Sequence, residues 1–233
     1  MRRLWLIILT LAGIVPGWQG VQAGTNENAR SKVVAFYGDS TIRGYKTHSG
    51  EQVRISTPDA FLAALGPNSG YVVMNEGVDS SRVEHLMNGT DGRHPPWKDY
   101  IAKARVDIVI TNHASKNGNS LEQYEDDLRQ MVRLAQAAGK KIILMTPNPI
   151  AEGGLEAYTD AMRRVATTER IPLIDTFRNL TEYMRDTGQG IADLVPDGYH
   201  PSDATYIRIG TYAAEIFRGI MADEKGMKMR AAR

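Results

Sequence analysis

The segment Val33-Val34-Ala35-Phe36-Tyr37-Gly38-Asp39-Ser40 joins a continuous apolar run to a glycine, an acid and a serine. A run that is apolar at consecutive rather than alternate positions is typical of a strand buried on both faces of a parallel sheet. Helical patterns separate it from four more such runs, which are Tyr71 to Met74, Asp107 to Thr111, Lys141 to Thr146 and Pro172 to Phe177. Together they predict an α/β fold built as a sandwich around a five-stranded parallel sheet.

The predicted helices begin and end at residues that suit those places. Thr57-Pro58-Asp59 supplies a cap residue and a first-turn proline for Ala60 to Leu65. Ser120-Leu121-Glu122-Gln123 resembles a capping box before Tyr124 to Ala138, and Gly139 ends that helix. Apolar residues three or four positions apart predict two later helices, Leu155 to Ala166 and Tyr206 to Met221.

The two ends of the chain carry the residues that suggest a catalytic group. Ser40 directly follows the first predicted strand, and Asp197-Gly198-Tyr199-His200 precedes the last predicted helix. Loops at the carboxyl ends of parallel strands converge, so the two segments can meet there. The spacing lets the Asp197 carboxylate hold one imidazole nitrogen of His200 while the other faces the serine hydroxyl. We therefore predict a serine hydrolase with Ser40 as nucleophile, His200 as general base and Asp197 as the orienting acid.

Each half of this group has an ordinary explanation when it is taken alone. A Gly-Asp-Ser triplet also forms simple turns, and Asp197 with His200 also suits a helix cap beside a loop histidine. Together, however, strand-Gly-Asp-Ser and Asp-x-x-His before the last helix resemble the SGNH hydrolases, the GDSL esterase and lipase superfamily. The resemblance covers nearly the whole chain after its first residues. It implies a flavodoxin-like three-layer α/β/α sandwich and hydrolysis of esters or thioesters through an acyl-serine intermediate.

The same resemblance implies which residues stabilise the oxyanion. Gly77, within Asn75-Glu76-Gly77-Val78-Asp79-Ser80, matches the glycine whose amide contributes in the family. The family's next block, Gly-x-Asn-Asp, is altered to Ala114-Ser115-Lys116-Asn117. Lys116 takes the place of the asparagine and Asn117 lies one residue later. Either side chain could complete the oxyanion site, and a weakened or lost hydrolase is the third outcome.

Further residues are expected at the walls of the substrate site. Asp39, His113 and Asn148 are secondary candidates for substrate contact. Asn148 belongs to the loop Thr146 to Pro149, which follows the fourth strand on the same rim as Ser40 and could also be a rigid turn. The polar segment Thr41 to Ser56 is expected to form another wall.

The N-terminal residues predict export. Met1-Arg2-Arg3, an apolar run to Val15 and the small residues ending at Ala23 are typical of a cleavable signal peptide over residues 1–23. The apolar run is shorter than the roughly 20 residues of a membrane-spanning helix, so we expect a periplasmic or secreted protein without stable membrane insertion after cleavage. We expect a flexible lead-in at residues 24–32, a single domain at 33–222 and a flexible basic tail at 223–233.

Composition excludes several classes of function. The net charge of +1 gives no sign of a nucleic-acid partner. The absence of cysteine excludes thiol catalysis and cysteine metal sites, and His48, His85 and His94 lack the spacing of metal ligands. We expect no metal and no other cofactor.

The sequence favours an exported esterase acting on an O-acylated glycan or a small soluble ester. The alternatives are a lysophospholipase, a thioesterase, an O-acyltransferase of the same fold, or a catalytically weakened glycan-binding accessory protein. Nothing in the pattern indicates an oligomeric state.

Overall fold

The computed structural model describes residues 30–46, 49–114 and 118–231. The predicted signal peptide, most of the predicted lead-in, His48, and the oxyanion candidates Lys116 and Asn117 lie outside the described residues.

Five parallel strands form one sheet: β1 (Lys32–Gly38), β2 (Tyr71–Gly77), β3 (Ile108–Thr111), β4 (Lys141–Met145) and β5 (Leu173–Ile174). Their order is β2-β1-β3-β4-β5, so the direction of winding reverses between β1 and β3. The register pairs Gly38 with Gly77 and Tyr37 with Thr111. In open parallel sheets ligands bind beyond the carboxyl ends of the strands at such a reversal, and Ser40 lies at that place.

The helices of the described chain follow these strands on both faces. They are α1 (Ser40–Arg43), α2 (Thr57–Leu65), α3 (Val83–Asn88), α4 (Trp97–Ile101), α5 (Leu121–Ala137), α6 (Glu156–Thr168), α7 (Thr176–Thr187), α8 (Ile191–Leu194) and α9 (Asp203–Ala231).

Two hydrophobic cores separate the sheet from its helices. Successive side chains of a strand point to opposite faces. Ala35 and Tyr37 of β1 pack with residues of α3, α4, α5 and α6, whereas Val34 and Phe36 pack with residues of α2 and α9. Burying each of the larger side chains contributes about 1.5–3 kcal/mol. The predicted three-layer α/β/α sandwich with a five-stranded parallel sheet is therefore confirmed.

Some element boundaries differ from the prediction. The fifth strand ends at Ile174, because the Asp175 side chain accepts a hydrogen bond from the amide of Arg178 and starts α7 there. Helix α2 is capped by Ser56 rather than Thr57, and the carboxylate of Asp59 accepts the Ser56 amide in return.

The last helix, α9, continues through Ala231, beyond the predicted end at Met221 and into the segment that we expected to be a tail. No helix within the described residues is both long enough and apolar enough to span a membrane.

Candidate active site

The turn after β1 fixes the position of Ser40. Asp39 caps α1, and its carboxylate accepts hydrogen bonds from the amide and the hydroxyl of Thr41, at 2.8 and 2.7 Å. The Asn112 side chain donates to the same hydroxyl at 3.1 Å. A side chain at Gly38 would overlap Asn112, so only glycine allows this approach. Ser40 therefore begins α1 on a turn that Asp39 and Asn112 hold in place through Thr41.

Ser40, His200 and Asp197 form a continuous hydrogen-bonded chain. The Ser40 Oγ lies 3.0 Å from His200 Nε2, and His200 Nδ1 lies 2.8 Å from Asp197 Oδ2. The other oxygen of Asp197 accepts the backbone amides of Tyr199 and His200, at 2.9 and 2.7 Å. The imidazole thus lies between a hydroxyl and a carboxylate that its own loop holds in place.

Electrostatics favour an ionised Asp197. Burial opposes its negative charge, but hydrogen bonds from the His200 amide, the Tyr199 amide and the His200 ring outweigh this and lower its pKa. A carboxylate acceptor favours a proton on Nδ1 of His200 and leaves Nε2 as the acceptor for the serine proton. The arrangement can activate a hydroxyl nucleophile.

The pKa of Asp39 shifts in the opposite direction from that of Asp197, because burial raises it in spite of the hydrogen bonds from Thr41.

Ser40 and His200 open into a cavity of about 390 Å³ at the carboxyl edge of the sheet. The predicted wall residues Asp39 and Asn148 also line it. Ile150 and Leu155 supply apolar surface. The cavity is also lined by Ser80, Arg82 and Tyr199, which were not predicted from the sequence as wall residues.

Gly77 does not have the predicted role. Its amide donates to Asn75 Oδ1 at 3.0 Å, and it is not among the residues lining the cavity. A side chain there would overlap the backbone of Arg43, so the glycine allows α1 to pack against β2. Ser80 lines the cavity instead, with a left-handed backbone at φ 58°. Within residues 30–46, 49–114 and 118–231, no group accepts its amide hydrogen.

His113 is also placed differently from the prediction. It is buried away from the cavity, with Nδ1 at 2.9 Å from Thr111 Oγ1 and Nε2 at 3.3 Å from Ser81 Oγ. Its backbone carbonyl accepts the Tyr124 hydroxyl at 2.8 Å. Burial lowers its pKa to about 3, so the ring is neutral at neutral pH. The expected substrate contact is therefore corrected to a structural position beneath the site.

Asn148 lines the cavity, but its amide group is used to join two loops. Its Nδ2 donates to the carbonyls of Pro149 and Tyr199, at 2.9 and 3.1 Å. The loop after β4 is also tied to the histidine loop by the Ala151 amide and the Gly198 carbonyl, 2.8 Å apart. These bonds help to hold His200 in place.

Tyr45 is a site residue that motif spacing did not reveal. Its ring stacks on the imidazole of His200, with centroids 4.3 Å apart and an angle of 24° between the planes. The two residues lie far apart in sequence, so only the folded chain brings them together.

As to metals, no cluster of three or more His, Cys, Asp or Glu residues that could hold an ion occurs in the described part of the chain.

No curated protein matches the chain. Among solved structures, Axe2, an acetylxylan esterase from Geobacillus stearothermophilus, is 20% identical, with a TM-score of 0.63, covering 80% of this chain and 92% of its own. LAE5, an alpha/beta hydrolase from the metagenome of Lake Arreo, is 21% identical with a TM-score of 0.59, covering 81% and 94%.

Three Axe2 structures carry catalytic mutations, which replace a serine, an aspartate or a histidine by alanine.

These likenesses show a shared fold. The family model of the GDSL-like lipases and acylhydrolases matches residues 36–208, a span that includes Ser40, Asp197 and His200. The chain therefore belongs to the GDSL-like lipase/acylhydrolase family, and it is a serine hydrolase of ester bonds.

Proposed function

We propose that the protein is an exported esterase that removes short O-acyl groups, acetyl first among them, from a glycan or a small soluble ester. The observation that carries the proposal is the hydrogen-bonded chain from Ser40 through His200 to Asp197 at a cavity of about 390 Å³. The fold shared with Axe2, an acetylxylan esterase, supports this choice of ester.

The reaction follows from the order of these groups. Ser40 Oγ attacks the ester carbonyl while His200 Nε2 takes its proton, and Asp197 stabilises the imidazolium that forms. His200 then gives the proton to the departing alcohol oxygen, which leaves an acyl group on Ser40. A water molecule then attacks the acyl carbonyl carbon while His200 takes its proton, and the bond to Ser40 Oγ breaks as His200 returns that proton to Ser40, which releases the acid.

The oxyanion site in this proposal uses Ser80 in place of Gly77. Ser80 lines the cavity, and no described residue accepts its amide hydrogen. The amide of Ser40, at the start of α1, is the other backbone donor that we assign. Lys116 or Asn117 remains the proposed side-chain donor. Loss of one such donor typically lowers turnover about 100- to 1000-fold, so replacing either residue by alanine tests which one contributes.

The walls of the cavity favour a short acyl group on a polar alcohol. Ile150 and Leu155 offer a limited apolar surface near Ser40. Tyr199 is 48% exposed, lines the cavity and donates its hydroxyl to Glu152 at 2.7 Å. A fixed, exposed aromatic ring is a surface on which a sugar ring can pack. Arg82 adds a polar group and pairs with Glu84.

An ester panel tests the proposal. Acetylated xylo-oligosaccharides, a lysophospholipid and an acyl thioester are offered to the protein and to its Ser40→Ala variant. We expect the acetylated sugar to give the highest kcat/KM and the variant to give background rates. Equal background rates on every ester would contradict the esterase and favour a glycan-binding accessory protein. Preferred cleavage of the phospholipid or the thioester would contradict the proposed O-acyl glycan substrate and would favour a lysophospholipase or a thioesterase.

Product analysis with an added sugar acceptor separates hydrolysis from acyl transfer. We expect free acid as the acyl product, whereas acylated acceptor as the main product would show a transferase.

A further inference from the structure

Tyr45 contacts the general base, His200, but does not line the cavity. Its ring stacks on His200 with centroids 4.3 Å apart, whereas the cavity is lined by His200 and not by Tyr45. The contact therefore acts on the imidazole, which lies 3.0 Å from the Ser40 hydroxyl.

The backbone of Tyr45 is tied to the nucleophile and to the last helix. Its amide donates to the carbonyl of Ser40 at 2.9 Å. Its carbonyl accepts the hydroxyl of Tyr206, a buried residue of α9, also at 2.9 Å. Gly44, at φ 87°, makes the turn that ends α1 and begins this segment. These contacts fix the backbone of Tyr45, from which the ring extends to His200.

The charges around His200 explain what a stacked ring adds. Asp197 holds Nδ1, and Asp39 interacts electrostatically with the same imidazole. The Arg43 guanidinium lies 5.5 Å from the centroid of the Tyr45 ring. During catalysis the imidazole becomes a cation, and the π face of an aromatic ring attracts a cation. The Tyr45 ring also limits rotation of the imidazole during the steps in which the hydrogen bond between His200 and Ser40 is broken.

We propose that Tyr45 is a positioning residue for the general base: its ring holds the His200 imidazole toward Ser40 and stabilises the imidazolium during turnover. The inference rests on the proposed role of His200 as the base. It assigns no direct contact with substrate to Tyr45.

The test compares Tyr45→Leu with Tyr45→Phe. The leucine variant removes the aromatic face, and we expect kcat to fall roughly tenfold while KM changes less than about twofold. The phenylalanine variant keeps the face, and no described residue hydrogen-bonds to the Tyr45 hydroxyl, so kcat should stay within about twofold of the parent. Tyr45→Met serves as a second non-aromatic variant if the leucine variant does not fold.

A matched control is Tyr183→Leu. Tyr183 also carries a cation on its ring, since Arg208 lies 3.6 Å from its centroid, but it belongs to α7 and does not line the cavity. This variant should keep the parent kcat. A general loss of rigidity would lower activity in both leucine variants alike and would overturn the inference.

A readout independent of any ester is the rate at which a fluorophosphonate labels Ser40. We expect labelling to be roughly tenfold slower in Tyr45→Leu than in Tyr45→Phe. Equal labelling rates, a phenylalanine variant as impaired as the leucine variant, or a raised KM with unchanged kcat would each overturn the role of Tyr45. A parent protein that is not labelled at all would instead overturn the proposed function.

Discussion

Both oxygens of the Asp197 carboxylate are used, one by the His200 ring and the other by two backbone amides. An Asp197→Asn variant keeps an oxygen for those amides but removes the charge that stabilises the imidazolium. We expect kcat to fall roughly 10⁴-fold with little change in Tm. The comparison is made by steady-state kinetics and thermal unfolding. A loss smaller than tenfold would mean that the carboxylate charge is not needed.

His113 makes a pH-dependent contribution to stability. Its pKa is lowered from 6.5 to about 3 by burial, so the folded protein keeps the ring neutral where the unfolded chain protonates it. Stability is then fully present above pH 6.5 and is lost as the pH falls toward about 3. One such group contributes at most about 1.4 kcal/mol per pH unit.

Denaturant unfolding at several pH values from 7 to 4 measures this contribution. We expect the free energy of unfolding of His113→Gln to depend less on pH than that of the parent. The raised pKa of His94, which has the opposite sign, is present in both proteins and cancels in the difference. Parallel pH curves for the two proteins would contradict the neutral, buried His113.

The difference between Ser40 and His113 shows what residue patterns can predict. Ser40, Asp197 and His200 were singled out because strand order and a three-residue spacing place them at one edge of the sheet. Gly77 ends β2 and His113 lies just after β3, but burial and hydrogen bonds to Asn75, Thr111 and Ser81 decide their places. Such contacts join separate segments and leave no local pattern.

At the scale of elements, the packing of α1 on β2 positions the nucleophile. Gly77 faces the backbone of Arg43 closely enough that a Cβ would overlap it. A Gly77→Ala variant must push α1 away from the sheet and with it Ser40. We expect a destabilisation of about 1–3 kcal/mol and a loss of turnover larger than the unfolded fraction explains. Full activity at unchanged stability would show that α1 does not depend on this contact.

A matched control for that variant is Gly66→Ala. Gly66 directly follows α2 and has a positive φ, but a Cβ there meets nothing within 4 Å, and the residue does not line the cavity. Some stability should be lost through backbone strain, whereas the turnover of the folded protein should be kept.

The helices and strands were predictable where their signals are local. Each of the five strands overlaps one of the predicted apolar runs, and Ser120 caps α5 as the sequence indicates. The boundary of β5 was not predictable, because it depends on Asp175. The Asp175 side chain accepts a hydrogen bond from the Arg178 amide and forms an ion pair with Arg163 of α6.

At the scale of the whole molecule, the sheet order accounts for where the site forms. Loops after β1, β2, β3 and β4 all contribute to the cavity, which lies at the reversal between β1 and β3. The sequence predicted this architecture from alternating strands and helices. It could not predict the cavity walls, since Ser80 and Arg82 are brought there by a backbone turn with a left-handed serine.

Export is a prediction from residues 1–23. When it is produced with its own N-terminus, we expect the protein in the periplasm or medium to begin at Gly24. N-terminal sequencing and fractionation measure this. An Ala23→Arg variant is the control, since it should keep residues 1–23 attached. Unprocessed protein beginning at Met1 and confined to the cytoplasm would contradict export.

Activation of the Ser40 hydroxyl by His200 and Asp197 underlies all of the proposed chemistry. The most direct measurement is reaction of the protein with a fluorophosphonate, followed by mass spectrometry of its peptides. We expect one covalent adduct, on Ser40, that is absent from Ser40→Ala and formed far more slowly in His200→Ala. An adduct on another residue, or equal labelling of the parent and Ser40→Ala, would contradict it.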